Sequence, residues 1–433
     1  MLKTLAPEIS CNSVENAATS WMLNVKRCAR ALRDIGLIGV DKWLAWGNRS
    51  VRDGSVESGK ESSGTDHFDG RVLLLRLDAI GDFIVWLDAA EGLRQHYAKA
   101  EITLVGNVLW TDLAERLPYF DRVIPVRPRR FRRDLRYRCR ILSELKRTSY
   151  REAIHVAHRR KARFAGAEAI LRAVRAKRKV ASTGDFPEAW QRRWSDRWYS
   201  ELLSVPGEAM EIHRNAEFVR QLGMKEFEAG LPTLPDECLP RVAKRPAWYY
   251  VLFPGAGAAH RQWPPSRFAE IASRIHQETG LTGLICGGPG EERLGNEICD
   301  AVDVPLENWI GRTSICELAA VIADAQFLLS NETSAVHIAT AAGTPSVCVL
   351  GGGHYGRFVP YDIEDQASGR PVPRPVIHEM PCFGCDWSCC FDVSLDEPVP
   401  CVDRIPTHAV WERVREVFDL TPTLEASPRE SRK

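Results

Sequence analysis

No uninterrupted apolar run in the 433-residue chain approaches the ~20 residues needed to cross a bilayer as a helix. The first twenty residues, MLKTLAPEISCNSVENAATS, lack the apolar stretch of a secretory signal. A cytoplasmic protein is therefore expected, at most peripheral at the inner membrane. Net charge is nearly absent, at +1, so bulk charge singles out no class of partner. Repeats of solenoid length are missing. So are the Gly-Lys-Ser/Thr of a P-loop and the three spaced glycines of a dinucleotide fingerprint. Cysteine is plentiful, but 13 is odd and cannot all pair internally, and reduced thiols are expected.

What remains is a globular chain too long for one core. Two α/β domains with tails are expected. Residues 1–70 read as a leader and linker. Trp21–Trp46 has a helical mix of apolar and basic positions, suited to packing on the first domain or to lying on a membrane surface. Residues 48–70 are rich in Gly, Ser and charge. From Arg71 the pattern alternates. Strands are expected at Val72–Leu75, Ile102–Val105 and Arg122–Val126, with helices at Phe83–Tyr97 and Leu109–Arg116. A second start comes at Tyr249–Phe253, after a stretch with four prolines, Leu231–Ala247. Two Rossmann-like, doubly wound domains follow, at 71–240 and 246–420, with a polar tail at 421–433. Ligands should sit in a cleft between them, at the carboxyl ends of the strands.

Four turns after strands carry candidate chemistry. Gly81-Asp82 follows the first strand. Asp82 there either caps the next helix or acts as a general base toward an acceptor hydroxyl. The loop Pro254-Gly-Ala-Gly-Ala-Ala-His-Arg-Gln-Trp-Pro264 brings backbone N–H groups and the fixed charge of Arg261 toward a diphosphate. Alternatively, Arg261 is a surface residue ahead of a helix, and Trp263 reads as packing. Ser330-Asn-Glu-Thr-Ser-Ala-Val-His337 places a helix start and two hydroxyls where a diphosphate could sit. Glu332 would repel a bare phosphate and suits a sugar hydroxyl, while His337 is either structural or touches phosphate. In Gly287-Gly-Pro-Gly-Glu-Glu292, Glu291 or Glu292 either receives ribose hydroxyls or caps a helix.

The segments LLLRLDAIGD, PGAGAAHRQWPPSRFAEIA, CGGPGEE, GRTSICELAAVIADA and NETSAVHIATAAGTPSV occur in that order. With them the chain resembles glycosyltransferase family 9, the ADP-heptose:lipopolysaccharide heptosyltransferases. The resemblance implies a GT-B fold, inversion at the anomeric carbon and no metal requirement. It implies Asp82, after Gly81, as base, and Arg261, where the family usually has Lys, on the donor diphosphate. Ala256 and Gly257 would touch phosphate. Glu332, Thr333, Ser334 and His337 fall on the donor-binding segment, and Thr313 on the adenine pocket. The ribose-binding acid falls on Glu291 or Glu292. Glu for Asp at 332 and Ser for Gly at 334 depart from the family pattern. The last helix, Thr407–Asp419, is expected to cross back to the first domain.

Residues 127–179 are crowded with arginine and lysine (RPRRFRRDLRYRCR, HRRKAR, RAVRAKRK), which suits an anionic glycolipid or glycan acceptor. No nucleic-acid recognition motif accompanies the charge, so nucleic acid is not an expected partner. Cys382, Cys385, Cys389 and Cys401 could hold zinc, although a second CxxC and a well-spaced His are missing. No metal is expected. The leading expectation is transfer of a heptose from a nucleotide sugar, ADP-heptose, with no further cofactor. A GT-B transferase using a UDP- or GDP-sugar for another glycan, and a non-catalytic polyanion-binding module, are the alternatives.

Overall fold

The computed structural model describes residues 70–158, 165–185, 192, 195–207, 209–363, 369–394 and 396–419. The leader with its Trp21–Trp46 segment, the linker up to residue 69, and the tail at 421–433 lie outside the described residues.

The first half runs β1 (Arg71–Arg76), α1 (Ile80–Val85), α2 (Leu87–His96), β2 (Glu101–Asn107), α3 (Thr111–Ala114), β3 (Arg122–Val126), α4 (Pro128–Arg133), α5 (Leu135–Lys146), β4 (Ser149–His155), α6 (Ala165–Ala173), β5 (Arg175–Ser182), β6 (Glu201–Leu203) and α7 (Glu211–Gln221). The second runs β7 (Tyr249–Phe253), α8 (Pro265–Thr279), β8 (Thr282–Ile285), α9 (Glu292–Asp300), β9 (Leu306–Asn308), α10 (Ile315–Ala323), β10 (Leu328–Asn331), α11 (Ser334–Ala342), β11 (Ser346–Val349), β12 (Arg374–Val376), α12 (Pro400–Asp403) and α13 (Thr407–Asp419).

Both sheets are parallel. Their strand orders are β3-β2-β1-β4-β5-β6 and β9-β8-β7-β10-β11-β12, so the second half repeats the doubly wound order of the first. Each order reverses beside the first strand of its half. That is where a crevice opens at the carboxyl ends of the strands. The loops after β1, β7 and β10 therefore fall at the switch points, as the α/β expectation requires.

Strand alternation assigns the faces. Val72 and Leu74 point into one core, and Leu73 and Leu75 into another. Tyr249 and Val251 join the first of these cores, while Tyr250 and Leu252 face a third. The shared core is continuous across the molecule, with Phe83, Ile84 and Trp86 of the first half clustered with Val336 and Ile338 of the second.

Three expectations need correction. The helix expected at Phe83–Tyr97 is two helices starting earlier, at Ile80, with a break at Trp86. Asn215 donates to the Val85 carbonyl at 3.4 Å, which draws that group away from the helical ladder. The helix expected at Leu109–Arg116 is only the single turn α3. The Asn107 side chain accepts the Leu109 N–H at 3.2 Å and imposes a turn first. Finally, α13 does not cross back. Val410, Val414 and Val417 bury themselves in the outer core of the second sheet with Val347, Val349 and Phe327. Its apolar stripe finds a complete partner there.

The Phe83 ring is fully buried and stacked on Trp110 at 4.1 Å. Phe83→Ala is expected to cost about 3–5 kcal/mol through lost burial and the cavity left behind. Urea unfolding of the two proteins measures it.

Candidate active site

The first wall of the site begins with a charge at the end of an apolar strand. The Arg76 side chain is fully buried, and such a group needs a partner. Asp78 supplies it, with Nε to Oδ1 at 2.9 Å and Nη2 to Oδ2 at 2.9 Å. The guanidinium also lies 5.3 Å from the Trp86 ring centre. Asn107 and the Trp110 indole both donate to the Asp78 carbonyl, at 2.9 and 3.1 Å, and fix the turn. Asp82 is the third residue of α1. Its Oδ2 accepts the Ala79 N–H at 3.3 Å, so the capping role is real. That bond also orients the carboxylate. Burial raises the affinity of Asp82 for its proton, Arg76 and Arg357 oppose this, and Glu211 adds to it.

The second wall meets the first directly. A Cβ on Gly81 would lie 3.2 Å from His337 Cδ2 and 3.7 Å from Ser334 Cα. The first turn of α1 thus packs on the first turn of α11, and Gly81 permits the approach. Burial lowers His337 to about 4, which leaves a neutral ring. Its Nδ1 shares a hydrogen bond of 2.8 Å with the Tyr361 hydroxyl. His337 therefore sits where the halves join, between Gly81 and Tyr361. Thr333 caps α11, its Oγ1 accepting the Ala335 N–H at 3.2 Å.

Arg261 bridges the loops after β7 and β10. Its Nη2 lies 3.3 Å from Glu332 Oε2, and a Cβ on Gly257 would lie 3.6 Å from its Nη1. Burial pushes Glu332 up to about 7 against the pull of Arg261. The guanidinium also stacks 4.2 Å from the Trp387 ring centre. Ala256 is half-buried and Gly257 exposed in the same loop.

The neighbouring acids separate. Glu291 Oε2 accepts the Gly288 N–H at 2.9 Å, and a Cβ on Gly255 would lie 2.5 Å from both Glu291 oxygens. Glu291 is thus folded against the loop that carries Ala256. Glu292 is exposed and accepts the Gly290 N–H. Thr313 is half-buried, just before the Ser314 cap of α10.

Several residues at the site escaped the sequence reading. Arg357, from the second half, donates to Glu211 Oε2 at 3.1 Å, and Arg214 reaches the same oxygen at 3.3 Å. Arg214 also clamps Asp185 at 2.7 and 3.1 Å. The run Gly351-Gly-Gly-His-Tyr-Gly-Arg357 after β11 was the available signal. Trp387 is another. It and Asp386 adopt left-handed backbone, with φ of 61° and 49°, a strained choice for a bulky residue. The strain is held by close packing, since Cβ atoms on Gly351 and Gly353 would lie 2.7 and 2.3 Å from the indole. Cys382, Cys385, Cys389 and Cys401 line one small cavity behind Trp387. Among the described residues no three His, Cys, Asp or Glu side chains are grouped so as to hold a metal ion.

Similarities of fold and of sequence point the same way. The chain is similar to the glycosyltransferase family 9 structure from Veillonella parvula DSM 2008, with a TM-score of 0.65 and 15% identity over 83% of this chain and 99% of that one. It is likewise similar to E. coli heptosyltransferase WaaC with ADP-2-deoxy-2-fluoro heptose, with a TM-score of 0.58 and 17% identity over 80% and 99%. The fold is GT-B. Residues 194–380 match the model of Glycosyltransferase family 9 (heptosyltransferase). Lipopolysaccharide heptosyltransferase 1 of Pseudomonas aeruginosa is 24% identical over 367 residues, which is 81% of this chain and 91% of that one. Lipopolysaccharide heptosyltransferase 2 of E. coli K12 is 30% identical over 104 residues, 23% of this chain and 29% of that one. The similarity to this family is thus carried by residues 194–380 and by heptosyltransferase relatives of up to 30% identity.

Glu332 makes a pH-dependent contribution of defined sign. Between its ordinary 4.5 and about 7, the folded chain keeps a proton that the unfolded chain releases. Stability from this group therefore falls as pH rises through that window, and the cost is complete above it. Its upper bound is on the order of 3 kcal/mol. Glu332→Gln is expected to melt higher than wild type at about pH 8 and to lose that advantage near pH 4.5. Thermal unfolding across the range checks this.

Proposed function

We propose that the chain is an inverting, metal-independent transferase that moves a heptose from ADP-heptose to an anionic lipopolysaccharide inner-core acceptor. The observation that carries the reading is the contact of Gly81 with Ser334 and His337. It sets the carboxylate-bearing turn of one half against the anion-seating helix start of the other. ADP-heptose is supported by the motif resemblance and by the names of similar proteins: E. coli ADP-heptose lps heptosyltransferase II has a TM-score of 0.59 to this chain.

In this reading Asp82 takes the proton of an acceptor hydroxyl as its oxygen attacks the anomeric carbon. The bond from that carbon to the diphosphate breaks on the opposite face, with inversion. Arg261 and the N–H groups at Thr333 and Ser334 stabilise the charge left on the nucleoside diphosphate. Ala256 and Gly257 flank the phosphates, Glu291 takes ribose hydroxyls, and Thr313 borders the base. Arg261 in place of the family's usual Lys is explained by Trp387, because a planar guanidinium stacks on an indole and an ammonium does so less well. Catalysis takes place at the cytoplasmic face of the inner membrane, where a glycolipid acceptor is presented.

A second reading, with a UDP- or GDP-sugar, is favoured by one observation. Glu332 is longer than the family's Asp and is engaged with Arg261, which alters the wall facing the sugar.

Asp82→Asn is expected to lower kcat at least a hundredfold while leaving donor affinity nearly unchanged. Steady-state kinetics with ADP-heptose, alongside a thermal-shift panel of ADP-, UDP- and GDP-sugars, checks both the base and the donor. Normal turnover by the variant would remove Asp82 from the mechanism, and stabilisation only by UDP- or GDP-sugars would favour the second reading. The stacking is tested by a double-mutant cycle. Arg261→Lys is expected to raise the donor KM about tenfold in wild type and far less in a Trp387→Leu background.

A further inference from the structure

Leu109 and Leu135 are the most exposed large apolar side chains among the described residues, at 55% and 46%. They are 26 positions apart in the chain, yet the fold brings them to one edge. Val108 donates to the Val126 carbonyl at 2.9 Å, which ties the residue before Leu109 to the end of β3. The Arg127 N–H donates to the Tyr137 hydroxyl at 3.0 Å, which pins the first turn of α5, and with it Leu135, to the same strand end. Between them α4 anchors by Phe131, fully buried and clustered with Leu77 in the core behind β1.

The rest of this edge is cationic. Arg127, Arg129, Arg133 and Arg136 are exposed. No ion pair to any of the four is found among the described residues. Asp134 is already engaged: it caps α5 through the Tyr137 N–H and pairs with Arg130 at 2.9 Å. Asp112, the acid nearest Leu109 in the chain, is itself exposed, one carboxylate against these four arginines. Two solvent-facing leucines on an edge with four arginines that form no ion pair among the described residues match the interface of an anionic bilayer, where apolar tips enter the headgroup layer and arginines meet phosphates.

We propose that this edge, carried by the ends of β2 and β3 and the starts of α4 and α5, docks the protein on anionic phospholipid. The strand ends that carry it neighbour the end of β1, so the docked edge lies on the same rim as Asp82. The surface stands independently of the transferase reading. Its use, delivery of a membrane-anchored acceptor to Asp82, rests on that reading.

The test is sedimentation of the full chain with phosphatidylcholine vesicles, with and without phosphatidylglycerol. Three proteins are compared: wild type, Arg129→Glu/Arg133→Glu/Arg136→Glu, and Leu109→Ser/Leu135→Ser. Circular dichroism and donor thermal shift serve as controls for folding and for the donor site. Wild type is expected to bind only the anionic vesicles and to be released by salt. The charge-reversed protein is expected to lose binding, and the serine protein to bind about tenfold more weakly with the same salt dependence. Failure of wild type to bind anionic vesicles would overturn the proposal. Equal binding by all three folded proteins would also overturn it, because another part of the chain would then be responsible. Loss of donor thermal shift in wild type would instead count against the transferase reading and leave the docking result intact.

Discussion

The architecture depends on one close approach: the first turn of α1 resting on the first turn of α11 at Gly81. Each half alone is an ordinary doubly wound sheet with loops at its switch point. The approach turns two sets of loops into one site. It needs a residue without a side chain on one helix and a neutral imidazole on the other. The imidazole is held uncharged by the apolar core around it and oriented by Tyr361. A charged or mobile ring there would separate the walls.

Around that contact the charges are arranged in pairs. On the first wall the buried Arg76 is paired with the half-buried Asp78. On the second Arg261 is shared between Glu332 and Trp387. Between the walls, Arg357 of the second half reaches Glu211 of the first. A pair of this kind adds little net stability. Its value here is positional. Each carboxylate and guanidinium is held where it stands by another.

Much of this was legible in the sequence. Alternating apolar runs marked the strands, and β3, β7 and α13 begin and end where the pattern says. The placement of Asp82, Arg261 and the Glu332–His337 segment after strand ends was legible because each follows an apolar run and a turn. Other features depended on non-local contacts. The break at Trp86 comes from Asn215, far along the chain. Which of Glu291 and Glu292 folds against the loop after β7 depends on the backbone of Gly255. Arg357 and Trp387 lie in loops without periodicity, and their importance lies in what they touch. The direction of α13 follows from which sheet leaves room for its apolar stripe.

The core shared by the two sheets has a dynamic consequence. Phe83 and Trp86 belong to the same apolar cluster as Val336 and Ile338, so swinging the halves widely apart would wet that cluster, at a cost that grows with the area exposed. Traffic of small molecules should therefore depend on the glycine-bearing loops at the rim, which sit outside the cluster and bend cheaply. A turnover cycle gated by those loops would leave the two sheets together from arrival to departure.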